Sequence, residues 1–260
     1  MSHISDYRRS LERSRLSRAS GDRPGTFDLR GREWDLLPDV FAPSHSRSTD
    51  VAMKLLGFDD DLEVPRAGSF LEIGSGTGVI AVSAALAGCE RVVGSDISPQ
   101  AVRNTALNAE RHGVSDRLRA VQGDLFEGLT PGERFSTVYW HSNFVLAPAD
   151  YTYRHVHERA YVDPGYAAHL RYLREAPLWT EPGGSALLHF SDRGDVPGLW
   201  NMADSCGREL RVLRSRRIKE GAETVEHMLF EITVAEAVVP MPLPKPVPRR
   251  TVPLRGPGHL

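Results

Sequence analysis

The stretch from Ser69 to Asp96 constrains this chain more than any other. It opens on a short apolar run, Phe70, Leu71 and Ile73, interrupted only by Glu72. A tight glycine turn follows at Gly74, Gly76 and Gly78, then a small-residue helix from Val79 to Ala87. A second apolar run, Arg91 to Gly94, ends on Asp96. Strand, glycine loop, helix, strand and acid is the order of a nucleoside-binding half-sheet. Glycines let backbone N–H groups approach a ligand because no Cβ intervenes. A carboxylate closing the second strand can hold both hydroxyls of a ribose. A dinucleotide fingerprint needs G-x-G-x-x-G ahead of a pyrophosphate-binding helix. The spacing here is Gly74-x-Gly76-x-Gly78 behind an acid, so a pyrophosphate is not the expected ligand.

With its acidic lead-in, L-E-I-G-S-G-T-G (residues 71–78) resembles motif I of the class I S-adenosylmethionine (SAM) dependent methyltransferases. The resemblance implies an α/β fold with a Rossmann-like seven-stranded sheet, and SAM as cofactor. It implies that Glu72, Gly74, Ser75, Gly76 and Gly78 surround the cofactor, with Asp96 and Ile97 at its ribose. Gly123-Asp124-Leu125, after a third expected strand at Leu118 to Val121, resembles the adenine-contacting acid and the backbone N–H beside it. V-F-A-P (residues 40–43) leads to Ser48 and Thr49, resembling a segment that lines the methionine end of SAM. Capping of a helix from Thr49 to Leu56 by Ser48 or Thr49 is the plainer role for those hydroxyls.

The chain of 260 residues is 40% hydrophobic, enough for one α/β domain with appendages. Net charge is −2, which gives no global attraction to nucleic acid, although arginines crowd the first thirty residues. Cys89 and Cys206 stand in no metal or redox spacing, which points to a reduced, cytoplasmic protein. No apolar run is long enough to span a membrane. Three regions are expected: an N-terminal extension, 1–48, folding as a lid over the pocket; a SAM-binding domain, 49–239; and a Pro-rich tail, 240–260. Within the extension, Tyr7, Leu11 and Ser14 fall at helical spacing, and residues 26–37 read as a hairpin turning at Arg30-Gly31.

Further on, Ser98-Pro99 reads as a helix start, with Val102 and Leu107 seating the helix on the sheet. Asn104-x-x-x-Asn108 resembles an N-x-x-x-N stretch of the family. A fourth strand, Phe135 to Trp140, runs into His141-Ser142-Asn143-Phe144. In the branch resembling release-factor glutamine and ribosomal RNA guanine N-methyltransferases, this tetrapeptide is N-P-P-Y or N-P-P-F. Here the aromatic survives as Phe144 but both prolines are gone, which argues against those two substrates. His141 and Asn143 are the candidates for orienting a nucleophile, His141 also for taking its proton, with Tyr166 and Ser191 behind them.

Five tyrosines (Tyr151, Tyr153, Tyr161, Tyr166, Tyr172) crowd the next segment and could wall a cation such as the sulfonium. His155-x-His157-Glu158 has metal-like spacing but no third ligand, so no metal is expected. A helix from Asp163 to Trp179, a strand from Ser185 to Phe190, a helix from Leu199 to Leu210 and a final antiparallel pair (210–218 and 225–234) complete the expected sheet. The reading favoured on these grounds is methyl transfer from SAM to a small-molecule nucleophile. One alternative is an intramolecular cyclase acting on SAM alone, forming azetidine-2-carboxylate and methylthioadenosine. The other is a non-catalytic SAM-binding or RNA-associated protein. Nucleic acid and membrane are not expected as partners.

Overall fold

The computed structural model describes residues 6–19, 25–43, 47–58 and 68–234. The expected Pro-rich tail lies outside the described residues. In chain order, α1 (Tyr7–Ala19) precedes a hairpin of β1 (Thr26–Leu29) and β2 (Arg32–Asp35), then α2 (Ser48–Leu56). The first sheet unit is β3 (Ser69–Ile73), α3 (Val79–Leu86), β4 (Arg91–Asp96), α4 (Pro99–Arg111) and β5 (Leu118–Gln122). After it come β6 (Phe135–His141), β7 (Leu146–Ala147), β8 (Asp163–Pro164), α5 (Ala167–Glu175), β9 (Thr180–Ser191), α6 (Val196–Ser205), β10 (Arg208–Glu220) and β11 (Glu223–Val234).

Seven strands form one sheet in the order β10-β11-β9-β6-β3-β4-β5. The pairs β3–β4, β3–β6, β4–β5 and β6–β9 are parallel, and β11 runs antiparallel to both neighbours. Every residue of β3 is buried, as a central parallel strand covered on both faces requires. One apolar cluster joins α2, α3 and the hairpin residues Phe27 and Trp34 to the sheet. The other joins α5, α6 and Phe126 to the sheet through Tyr172, Phe190 and Leu199. The seven-stranded α/β architecture expected from the sequence is therefore present.

Several local expectations need correction. The buried face of α4 is Ala101, Asn104, Thr105, Asn108 and Ala109, while Val102 and Leu107 are only half-buried. Small and amide side chains suit that face: Thr105 meets Gly78 and Gly94, and Asn104 and Asn108 bond backbone groups of residues 35, 37 and 77. Gly78 shows the constraint: at φ +80°, a Cβ would lie 2.8 Å from Thr105 Cα. Neither Ser48 nor Thr49 caps α2, whose N-cap is Arg47, with no side-chain cap bond. The last helix starts at Val196 rather than Leu199, because Asp195 accepts from Gly198 N at 3.0 Å and Pro197 suits the first turn. The expected helix from Asp163 is split. Asp163–Pro164 pairs with β7, and Tyr166 at φ 54° turns the chain into α5.

Gly78→Ala should lower unfolding stability by at least about 2 kcal/mol, since backbone atoms must move and a left-handed residue gains a Cβ. Gly76→Ala, with nothing within 4 Å of its added Cβ, should cost only about 1 kcal/mol. Urea unfolding of both variants checks the contrast, and equal losses would remove the packing explanation.

Candidate functional site

The carboxyl ends of β3, β4 and β6 open onto one cavity of about 450 Å³. Gly74, Gly76 and Gly78 all carry positive φ, and Ser75 N of the loop donates back to Ser95 O at 3.0 Å. Its shape is fixed from below. Glu72 Oε2 accepts from Ala81 N in the first turn of α3 at 2.8 Å, and burial pushes this carboxyl well above the usual range. Asp96 Oδ2 accepts from Gly76 N at 2.9 Å and Oδ1 from Ser98 N at 2.8 Å. Burial also raises Asp96, against the pull of those amides.

Ser75 Oγ and Thr105 Oγ1 lie 2.9 Å apart, tying the loop to α4. The two asparagines of α4 hold the hairpin. Asn104 Oδ1 accepts from Leu37 N and Asn108 Oδ1 from Asp35 N, while both amide groups donate to Asp35 O. Asn108 Nδ2 also donates to Thr77 O at 2.8 Å. N-x-x-x-N thus joins hairpin, helix and glycine loop, and sequence reasoning had no contact partner for it.

Of the residues singled out from the sequence, Glu72, Gly74, Ser75, Gly76, Asp96, Ile97, Asp124, Leu125, Thr49, His141 and Asn143 line this cavity. Gly78 caps α3 beneath it. Tyr166 and Ser191 do not line it. The Tyr166 hydroxyl donates to Phe144 O at 2.7 Å and accepts from Asp195 N at 2.8 Å, bracing two loops. Ser191 is fully buried, its Oγ accepting from Arg193 N. The tyrosine wall is also smaller than expected: Tyr153 and Tyr161 line the cavity, but Tyr172 is core, donating to Leu187 O. His157 bonds Ser14 at 2.8 Å, and no cluster of three or more metal-binding side chains occurs among the described residues.

The cavity fits an adenosyl group: Gly76 leaves open backbone where a Cβ would stand, with Asp96 and Asp124 at the adjacent strand ends. Asp124 is already paired, Oδ2 with Arg159 at 3.0 Å and Oδ1 with Arg171 at 3.1 Å. Helix α1 lies against the other end of the cavity through Arg13, Leu16 and Ser17. As the spacing suggested, Tyr7 and Leu11 rest on an apolar patch around Val145, and Ser14 is buried. The buried residues of α1 are Ser10, Ser14 and Ser17, whereas Leu16 is 52% exposed.

Beside β6, sequence reasoning missed a row of histidines. The His141 ring stacks on His189 with centroids 4.3 Å apart. Tyr139 Oη is 3.4 Å from His189 Nδ1, and His189 Nε2 is 3.0 Å from His227 Nδ1. His227 Nε2 lies 3.4 Å from Glu220 Oε1, and Arg193 pairs with Glu220 at 2.7 Å. Burial lowers His141 to about 3 and holds His189 well below its usual range. The only sequence signal was an imidazole inside each of two apolar strands, L-L-H-F and E-H-M-L-F.

These depressed values have a consequence for stability. The unfolded chain binds protons at its histidines below about pH 6.5, while the folded chain resists binding them until far lower pH. Stability therefore falls as pH drops through that window. Thermal melting should occur at lower temperature at pH 5 than at pH 7. His189→Gln should flatten the slope by up to about 1.4 kcal/mol per pH unit. A slope unchanged by the substitution would dismiss the buried imidazoles as its source.

Residues 46–136 match the family profile described as Ribosomal protein L11 methyltransferase (PrmA). The ribosomal protein L11 methyltransferase of Pelotomaculum thermopropionicum is 37% identical over 110 residues, 40% of this chain and 34% of that protein. The same-named protein of Photobacterium profundum is 46% identical over 50 residues, 19% of this chain and 17% of that protein. The chain thus spans about a third or less of the length of these curated relatives. Among solved structures, a methyltransferase from Pyrococcus furiosus superposes with TM-score 0.54 at 17% identity, covering 86% of this chain and 96% of that one. Trm5b from Pyrococcus abyssi superposes with TM-score 0.54 at 17% identity, covering 82% and 58%.

The relatives overturn one expectation. They are named for a ribosomal protein, so an acceptor that is a small molecule, or SAM alone, with nucleic acid set aside as a neighbour, does not hold. Neither the cyclase nor the non-catalytic alternative finds support among them. No described helix is long and apolar enough to cross a membrane. Residues 46–136, which carry the nucleoside-binding part of the sheet, are thus similar to ribosomal protein L11 methyltransferases, and the seven-stranded α/β fold is like that of solved methyltransferases.

Proposed function

We propose that the protein transfers a methyl group from SAM to a nitrogen of a polypeptide acceptor, and that a ribosomal protein is the acceptor class to test first. The observation that supports nitrogen is Asn143. Its Nδ2 donates to Arg159 O at 2.6 Å and to Val162 O at 2.7 Å, which fixes the orientation of the amide. Its Oδ1 is buried with no hydrogen-bond partner, in a residue that lines the cavity. A buried acceptor left unpaired costs on the order of 1–3 kcal/mol, and an N–H from the acceptor would remove that cost. The name of the relatives supports a polypeptide.

The glycine loop, Asp96 and Asp124 would hold the adenosyl part of SAM, which when bound supplies an electrophilic methyl group on sulfur. The remaining chemistry belongs to the chain's own residues. Methyl transfer needs the nitrogen lone pair free and in line, so orientation and exclusion of water dominate. Burial in this cavity favours the neutral amine over ammonium. His141 lines the cavity, but an imidazole with pKa about 3 stores a proton poorly, so its part is orientation rather than general base. Helix α1 and residues 39–41 and 43, which line the cavity, would act as a lid that lifts to admit a polypeptide. The docked face of α1, where Ser10, Ser14 and Ser17 are buried beside partly buried Tyr7 and Leu11, suits a contact that opens.

The test is to incubate the pure chain with methyl-labelled SAM and purified ribosomal protein L11. Label in the polypeptide, with one or more added methyl masses on a lysine or the α-amine, is the expected result. Label found on a carboxylate or on RNA, or in no macromolecule at all, counts against the proposal.

A further inference from the structure

Arginines from two separate elements line the cavity. Arg13 comes from α1, and Arg193 from the turn after β9. Strand β9 is separated from β3 by β6, so Arg193 follows a strand two places across the sheet from the one that leads into the glycine loop. Both line the same cavity, together with Glu220. Arg193 spends its terminal nitrogens on Glu220 at 2.7 Å and Glu223 at 3.4 Å, but its buried Nε has no hydrogen-bond partner. Among the described residues, Arg13 has Ser10 Oγ at 3.3 Å as its hydrogen-bond partner and no carboxylate within ion-pair distance. Burial lowers the pKa of Arg13, and the like charge of Arg193 lowers it further. Arg193 is balanced by Glu220 and Glu223, which leaves the Arg13 guanidinium without an ion-pair partner among the described residues and the Arg193 Nε without an acceptor at this cavity.

We propose that Arg13 and Arg193 form a carboxylate-binding subsite for the acceptor, so that the protein selects a nitrogen standing next to an acidic side chain or a chain-terminal carboxylate. Planar guanidinium donors match a carboxylate in both geometry and charge. Because Arg13 belongs to α1, an acidic acceptor also helps draw that helix down on the site. The inference rests on the polypeptide-acceptor reading above and deepens it.

The same carboxylate chemistry could come from the methionine end of the cofactor, and calorimetry on the full chain separates the sources. Three capped peptides serve as probes: acetyl-Lys-Glu-amide, acetyl-Lys-Gln-amide and acetyl-Lys with a free carboxylate. Each is titrated into the protein with and without S-adenosylhomocysteine. The two acidic probes should bind at least about tenfold more tightly than the Gln probe. Arg13→Gln should erase that preference and leave the S-adenosylhomocysteine affinity within about twofold, while Arg13→Lys keeps part of the preference. Glu220→Gln removes the balancing carboxylate and should tighten the acidic probes, a change in the opposite direction that no folding defect imitates. Which acidic probe binds better identifies side chain or terminus.

Equal binding of acidic and Gln probes overturns the subsite, as does absence of binding by every probe at millimolar concentration. An Arg13→Gln variant that loses S-adenosylhomocysteine but still binds methylthioadenosine, which lacks the amino acid, also overturns it by assigning the cation to the cofactor. If S-adenosylhomocysteine gives no heat while the acidic probes keep their preference, the methyltransferase reading fails and the subsite stands.

Discussion

Asp96→Ala should raise the dissociation constant for S-adenosylhomocysteine at least about 100-fold, the equivalent of roughly 3 kcal/mol. The size follows from what the carboxylate does twice over. It closes β4 at the cavity, where a ribose would lie against it, and it holds the loop that would receive the rest of the nucleoside. Gly76 N and Ser98 N both donate to it, at 2.9 and 2.8 Å. Hydrogen bonds to a charged acceptor contribute on the order of 1.5–3 kcal/mol each. Alanine leaves both amides without that acceptor, and Gly76 keeps the longer bond from Thr105 Oγ1 to its carbonyl at 3.3 Å. Pre-organisation and the ribose contact are therefore lost together.

Asp96→Asn separates the two roles. It retains one acceptor oxygen but turns an NH2 group toward a backbone N–H, so an intermediate loss of about tenfold is expected. Calorimetry measures both variants, with far-ultraviolet circular dichroism and melting as the check that the sheet persists. A folded Asp96→Ala variant that binds the nucleoside within threefold of the parent would falsify the assignment of this cavity to the adenosyl group.

The sequence made the nucleoside half of the sheet legible because its signals are local. Strand, glycine turn and capped helix each occupy a few neighbouring residues, and Ser98-Pro99 marks the start of α4 with the side-chain bond it implies. What escaped is held by contacts between distant positions. The histidine row exists because register sets His141 opposite His189 and brings His227 beside them, on three strands far apart in the chain. Asn104 and Asn108 look like ordinary polar helix positions until the hairpin, about seventy residues earlier, supplies the backbone groups they bind. Tyr166 looks like a site residue for the opposite reason: it stands near the cavity in sequence, but its hydroxyl is consumed by Phe144 O and Asp195 N. At α1, a hydrophobicity reading finds Tyr7 and Leu11 but gives no weight to serines, whose burial depends on the surface they meet.

Asn143 carries the second large effect. Asn143→Ala should reduce kcat for polypeptide methylation by about 10²- to 10³-fold while leaving the affinity for S-adenosylhomocysteine nearly unchanged. The lost acceptor oxygen is the one the transferring nitrogen would bind, and its position depends on two short backbone contacts that alanine cannot make. Arg159 O and Val162 O would then lose a shared donor, and the segment between them, which includes the cavity residue Tyr161, would loosen. Asn143→Asp distinguishes positioning from bulk. A carboxylate presents an acceptor to the substrate but faces two carbonyl oxygens with no proton to offer, so it should be repelled from its seat. It should therefore be nearly as slow as alanine despite its matching shape. Steady-state kinetics with a saturating acceptor read the effect as kcat. Activity of Asn143→Asp close to the parent would show that the oxygen alone matters and that the two carbonyl contacts do not orient it. Full activity of Asn143→Ala would remove Asn143 from the chemistry altogether and leave His141 as the group that aligns the nucleophile.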